Sequence, residues 1–222
     1  MELIHITKKI AGRKILNIPQ LTFTEGRRYA LIGENGSGKT TLLRIMAGVL
    51  KADTGRLVNI PMDNMGYMPQ SPYAFSFSVQ KNVAIALDNS TDAVNQALIA
   101  LKAVGLSSLA AVRGNKLSGG ETQRMAFARM IVTPRKLILL DEPTSAMDIK
   151  GIDQIEALLL HYASQTGCTI IFSTHSPAQA LRLAEWVVFL DQGKIAEQGP
   201  AKKVLKQPHN ESAKLFLQHW KI

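Results

Sequence analysis

Two hydrophobic periods alternate along this chain, and their order sets the expected architecture. Residues 2–7 (ELIHIT) and 15–24 (ILNIPQLTFT) alternate apolar and polar positions, with polar AGRK between them, which predicts an antiparallel strand pair. After Gly26 comes RRYALIG, an apolar strand, and then TTLLRIMAGVL, whose apolar positions recur at helical spacing. KADTGRL reads as a turn, and VNIPMDNMGYMPQ as short extended pieces ending at Gln70. From Ser71 to Lys116 the character is helical. SVQKNVAIAL and TDAVNQALIALKAVGL carry the helical period, with Asp88-Asn89-Ser90 separating them and Gly105 and Gly114 breaking the tail.

The strand–helix alternation then resumes. A helix over about 119–132 is stopped by Pro134, and KLILLD is a buried strand. KGIDQIEALLLHYASQ is the next helix, CTIIFSTH a strand, PAQALRLAE a helix, and WVVFLD-QG-KIAEQG a hairpin. Short helices near 200–206 and 211–220 finish the chain, with no internal repeat or low-complexity segment. Strands alternating with helices predict an α/β fold with a mixed, largely parallel sheet covered on both faces, plus an N-terminal antiparallel β part. We read residues 1–222 as a single domain, with a core of 1–70 and 117–222 and a small helical insertion at about 71–116.

Composition narrows this picture only modestly. The 222 residues suffice for one sizeable core, and 46% apolar with 19% charged residues is ordinary for a globular chain. Cys168 is the single cysteine, which excludes an internal disulfide and fits a reducing compartment; its setting in CTIIF predicts a buried thiol. No apolar run approaches the roughly 18 residues of a membrane span, and MELIHITKKI lacks a signal-peptide core, so a cytoplasmic chain is expected. The net charge is +9, but the basic residues are scattered in ones and twos, without aromatic interleaving. Charge alone therefore does not point to nucleic acid.

The stretch GENGSGKTT (Gly33, Glu34, Asn35, Gly36, Ser37, Gly38, Lys39, Thr40, Thr41) fits G-x-x-x-x-G-K-[ST] between a strand and a helix. Polyphosphate carries several negative charges on closely spaced oxygens and needs many converging donors. Gly36 and Gly38 let the backbone curl into an anion-binding nest at a helix N-terminus. Lys39 supplies a point charge for the β- and γ-phosphates, and the Thr40 hydroxyl is placed to ligate Mg²⁺. The expected fold is thus a phosphate-loop NTPase core.

Two further stretches carry chemistry. The aliphatic strand Leu137-Ile138-Leu139-Leu140 ends in Asp141-Glu142, beyond the carboxyl end where α/β sheets bind ligands. Asp141 is placed to hold Mg²⁺, and Glu142 to orient and deprotonate a water for in-line attack. Leu117-Ser118-Gly119-Gly120-Glu121 has capping-box spacing, with two glycines baring the backbone at a helix start as a second potential anion site. Alone, it reads equally as a well-capped helix.

The order of phosphate loop, LSGGE, aliphatic strand ending in DE, and histidine after another strand resembles the ATP-binding cassette (ABC) ATPases over essentially the whole chain. The resemblance implies ATP and Mg²⁺ as ligands and a head-to-tail dimer. In that dimer Ser118, Gly119 and Gly120 touch the γ-phosphate held by Gly33 to Thr41 of the other subunit. It also assigns Ser145-Ala146-Met147-Asp148 to the D-loop, with Met147 where leucine is usual. His175 matches the switch histidine at the γ-phosphate, although a histidine at a strand end is ordinarily a polar cap. Gln70 matches the glutamine that contacts Mg²⁺ and water. Pro72, Tyr73, Phe75 and Phe77 fall where the family docks its membrane partner, and at least one aromatic is expected to be exposed there. One departure from the family concerns the base: Ile10 occupies the position of the usual adenine-stacking aromatic, leaving Tyr29 or the partner subunit as other candidates.

The implied function is the ATP-hydrolysing subunit of an ABC transporter, more in the manner of an importer of a small solute or oxyanion. It would be peripheral on the cytoplasmic face of the cell membrane, beside separate transmembrane permease subunits and with a substrate-binding protein as a further partner. The end of the chain soon after the 186–199 hairpin leads us to expect no added regulatory domain. The alternative is a soluble family member acting on nucleic acid or the ribosome. Such relatives usually carry long coiled coil or two cassettes, neither present here, so no nucleic-acid partner is expected. A non-hydrolysing binding module is disfavoured by the intact Lys39, Glu142 and His175.

Overall fold

The computed structural model describes residues 1–87 and 91–220. The expected separator Asp88-Asn89-Ser90 lies outside the described residues. Strands β1 (Glu2–Ile10), β2 (Arg13–Thr22) and β4 (Thr54–Val58) form a three-stranded antiparallel sheet in the order β2-β1-β4. The larger sheet contains β5 (Met65–Met68), β6 (Leu137–Asp141), β7 (Thr169–Ser173), β3 (Arg28–Ile32), β8 (Trp186–Asp191) and β9 (Lys194–Pro200), in that order. All its pairings are parallel except β8 with β9, an antiparallel hairpin. A mixed, largely parallel sheet with an N-terminal antiparallel part is therefore what forms.

The aliphatic strands are buried on both sides, which explains why they show runs rather than alternation. Ile138 and Leu140 of β6 join one apolar cluster while Leu137 and Leu139 join another, and β3 and β8 divide in the same way. On one face, helix α1 (Lys39–Met46) packs with Leu3, Ile6, Leu16 and Ile18 of the antiparallel sheet. The other face is covered by α4 (Gly119–Ile131), α5 (Ile149–Thr166), α6 (Pro177–Leu183), α7 (Ala201–Lys206) and α8 (Glu211–Gln218). Helices α2 (Val79–Ala84) and α3 (Ala93–Ala103) pack onto α4 from the segment between β5 and α4.

One element departs from the expectation. KADTGRL reads as a turn, but its second half opens β4, which pairs with β1 from Glu2↔Val58 to Thr7↔Thr54. The strand is mostly exposed and polar, so its backbone pairing leaves no hydrophobic signature. Cys168 is 1% exposed, and burial pushes its thiol up to about 12, so it is a packing group and not a nucleophile. Among the described residues no helix is long and apolar enough to cross a membrane.

Candidate functional site

The phosphate loop joins β3 to α1, and its shape depends on glycine at two positions. At Gly33 (φ 146°) a Cβ would collide with the Leu190 carbonyl oxygen, so β8 and the loop can touch only through glycine. Gly38 (φ 106°) precedes α1, where a Cβ would stand 2.6 Å from the Leu16 side chain. Gly38 offers no side-chain cap, so the first-turn N–H groups of α1 stay open to an anionic ligand. Lys39 is buried, donating to the carbonyl oxygens of Gly33 at 2.8 Å and Glu34 at 2.9 Å. Burial lowers its pKa, against the opposing pull of Glu142 and Asp141.

The acidic pair lies at the end of β6, across from this loop. The Thr40 hydroxyl donates to Asp141 Oδ1 at 3.1 Å and the Ser173 hydroxyl to the same oxygen at 2.6 Å. Asp141 Oδ2 is buried and has no hydrogen-bond partner among the described residues. An orphaned carboxylate oxygen beside a threonine hydroxyl is a hard-oxygen donor set, which fits Mg²⁺.

Glu142 adopts φ 46°, a left-handed conformation that costs roughly 1–3 kcal/mol for a residue with a side chain. Its N–H donates to Ser173 Oγ at 2.9 Å. The carboxylate meets Gln70, whose Nε2 donates to Oε2 at 3.2 Å, and His175, whose Nδ1 lies 3.5 Å from the same oxygen. Glu142, Gln70 and His175 thus converge, together with Gly33, Glu34, Asn35, Gly36, Gly38, Lys39, Thr40 and Thr41, on one cleft of about 980 Å³.

Ser118, Gly119, Gly120 and Asp148 do not line that cleft. Ser118 closes a full capping box on α4: its N–H donates to Glu121 Oε2 at 2.7 Å and its Oγ accepts from the Glu121 N–H at 3.3 Å. The Ser118 backbone N–H holds the Glu121 carboxyl below its ordinary pKa. A Cβ on Gly120 would lie 2.7 Å from the Ala146 carbonyl oxygen, so this glycine lets the signature approach the loop that carries Asp148. Asp148 itself caps α5 through the Gly151 N–H.

Several residues of the site escape sequence reasoning. Gln123 is 2% exposed and ties two loops together: its Nε2 donates to Ser145 Oγ at 3.1 Å and to the Gln70 carbonyl at 3.4 Å, and its Oε1 accepts from the Ala146 N–H at 3.0 Å. Its place within the LSGGETQR stretch was the available signal. Glu156 on α5 and Gln179 on α6 form a buried brace with Thr144, and the exposed Arg182 of α6 closes on Glu156 from outside. Phe216, His219 and Trp220 at the end of α8 also line the cleft, which no motif marks. Tyr29 is corrected: it is 2% exposed, packs edge-on against Phe23 and accepts from the Thr24 N–H, so it cannot reach a nucleotide base. Ile10 and Ile15 are the apolar side chains at the cleft from the N-terminal sheet.

A family model described as "ABC transporter" matches residues 16–145. The spermidine/putrescine import ATP-binding protein PotA of Aggregatibacter actinomycetemcomitans is 33% identical over 224 residues, covering 95% of this chain and 60% of that protein. The chain thus spans about three fifths of the length of such relatives. The tungstate uptake system ATP-binding protein TupC of Peptoclostridium acidaminophilum is 34% identical over 203 residues, covering 87% of this chain and 95% of that protein. Among solved structures, the ATP-binding cassette MJ0796 in a dimeric post-hydrolysis state with ADP and Pi superposes with a TM-score of 0.80 at 26% identity, over 90% of this chain and 98% of that one. CbiO1 from Clostridium perfringens, part of the transporter complex cbiONQ, gives 0.79 at 27% identity, over 93% and 90%. With more than half of its residues matched by the family model, the chain belongs to the ABC transporter family of ATP-binding cassettes.

Proposed function

We propose that this chain is the ATP-hydrolysing subunit of an ABC importer for a small solute or oxyanion. It would work as a head-to-tail dimer beneath separate membrane subunits. The observation that carries this reading is a division of the site. Lys39, Thr40, Glu142, Gln70 and His175 share one cleft, with Asp141 buried behind it on the Thr40 hydroxyl, while Ser118 to Gly120 stand outside it, available to a second copy. The polyamine and tungstate uptake subunits support import, and the dimeric ADP-bound cassette supports pairing. The whole chain is read as one cassette domain, with the insertion at about 71–116 seated on α4.

Thr40, Asp141 through its unpartnered Oδ2, and the Gln70 side chain would hold Mg²⁺. The ion would neutralise charge on the β- and γ-phosphates. Lys39 binds the same phosphates, and Glu142 takes the proton of the attacking water. His175 holds that water against the γ-phosphate, while the partner's Ser118 and Gly120 close over it. Asp148 lies on the loop beside that signature.

The docking segment is a rigid ledge. Phe75 stacks on Phe77 at 5.1 Å, meets Tyr73 edge-on at 5.0 Å and lies under the Arg129 guanidinium at 5.5 Å. Buried Asn82 grips the backbone of Phe75 and Phe77 from beneath. Tyr73, 70% exposed, has little structural work and presents an aromatic face to a coupling helix. In the intact transporter, Tyr73→Ala is expected to cut co-purification of the membrane subunits by more than tenfold while the isolated chain keeps its Mg²⁺-dependent ATPase activity. Undiminished co-purification, or capture of nucleic acid or ribosomes in place of membrane subunits, would refute the transport reading.

Base recognition should be weak. Ile10 is half exposed at the cleft rim and offers an aliphatic face without a π surface. A base stacked on an aromatic gains roughly 1–3 kcal/mol, so its absence corresponds to several-fold up to about a hundred-fold in affinity. GTP is therefore expected to support hydrolysis within about tenfold of ATP. Ile10→Tyr should tighten ATP binding without changing kcat. Competition between GTP and ATP for both proteins decides this; a strong wild-type preference for ATP that Ile10→Tyr leaves unchanged would sink it.

A further inference from the structure

We infer that Trp220, at the end of α8, is a positioning residue for His175, so that the C-terminal helix is mechanically part of the γ-phosphate switch. This rests on the switch role proposed for His175. His175 leaves β7 with a side chain that is 53% exposed. Among the described residues its polar partner is Glu142, at a distance too long for a well-formed hydrogen bond. Such a ring has little to fix its rotamer. Trp220 supplies a wall, with its ring centroid 6.1 Å from that of His175 and the planes inclined by 45°.

The wall is itself backed by the core. Trp220 lies 6.4 Å from Phe216, one helical turn earlier, and Phe216 packs at 5.4 Å and 62° on Phe189 of β8. Phe189 is 2% exposed and Phe216 8% exposed. These spacings suit edge-to-face and tilted aromatic packing. An aromatic column thus runs from the central sheet to the imidazole.

The start of α8 is held by hydrogen bonds. The Asn210 side chain accepts from the N–H groups of Ser212 and Ala213, and the Glu197 carboxylate accepts from those of His209 and Asn210. The Ser212 hydroxyl donates to Asp191 at 2.9 Å. With the helix held, any displacement of the His175 ring on meeting a γ-phosphate changes its contact with the Trp220 indole. Trp220 keeps 39% of its surface exposed on the cleft, where there is room for that movement.

The test uses the full chain in a Trp186→Phe background, which leaves Trp220 as the only tryptophan. Trp220→Ala is expected to lower kcat about tenfold with KM for Mg-ATP changed less than about twofold, because misplacing a group costs turnover and not ground-state binding. Trp220→Phe should restore most of kcat. Trp220 emission should respond to ATP differently from ADP, and His175→Ala should abolish that difference while ATP still binds. An unchanged kcat in Trp220→Ala, a KM rise without a kcat loss, or identical emission with both nucleotides would overturn the inference. If Trp220→Ala melts, Trp220→Phe and the emission difference decide. Absence of turnover in the parent chain would instead count against the ATPase reading, and the emission arm would still report on Trp220.

Discussion

Replacing Glu142 by glutamine is expected to lower ATP turnover by roughly 10²–10⁴-fold while leaving ATP bound. Glutamine has almost the same volume and can still accept from Gln70, whose Nε2 donates to Glu142 Oε2 in the native site. The strained backbone at this position, φ 46°, should therefore persist, and what disappears is the group that accepts a proton. Asp141 is not placed to substitute for it, because the residue is 1% exposed, its Oδ1 accepts from the Thr40 and Ser173 hydroxyls, and its Oδ2 is the oxygen proposed for Mg²⁺. Without hydrolysis two subunits should stay closed on ATP. Size-exclusion chromatography in Mg-ATP should then show a dimer for the variant and a monomer after its nucleotide is removed. Full turnover in Glu142→Gln would remove this residue from the chemistry.

Lys39→Ala should have its effect one step earlier, on binding. A hydrogen bond to a charged group contributes about 1.5–3 kcal/mol, so losing one such bond from the ammonium should weaken ATP by roughly 10- to 150-fold. Folding should not suffer in parallel. Burial already lowers the pKa of Lys39, which means the empty fold carries a partly uncompensated cation, and alanine relieves that penalty. Its two bonds run to carbonyls of the same loop, Gly33 and Glu34, so their loss is local. The expected result is an apo melting temperature that holds or rises, together with loss of the ATP-induced increase seen in the wild type. A wild-type ATP affinity in Lys39→Ala would show that backbone N–H groups alone carry the phosphates.

Those two residues were readable in the sequence because their chemistry imposes local rules. A loop that wraps phosphates needs glycines where φ is positive, and Gly33, Gly36 and Gly38 satisfy that within six positions. A strand buried on both faces must be a run of aliphatics, which placed Asp141 and Glu142 at its end. Residues whose role depends on distant neighbours were not readable. Gln123 is one polar residue on a helix until two loops from other parts of the chain arrive around it. Trp220 meets His175 across 45 positions of sequence by virtue of tertiary packing alone. Strand β4 failed for a third reason: it is held by backbone pairing to β1, which leaves no pattern in its side chains. Tyr29 shows the converse error, since a tyrosine near the phosphate loop in sequence points into the core instead.

The strand order also has a consequence for how the molecule is made. β3, which delivers the phosphate loop, lies between β7 and β8, and Gly26 at its approach bonds to Thr169, 143 positions further on. A nascent chain emerging at about 5–20 residues per second would leave that strand without either neighbour for roughly 7–30 seconds. During this interval the loop has its glycines and its lysine but no sheet to hold them. Nucleotide cannot guide early folding from the N-terminus, because the floor of its site is still being synthesised. ATP can first bind at a late stage of biosynthesis, once the last third of the chain has closed over the first, so this cassette is assembled around its ligand site and not outward from it.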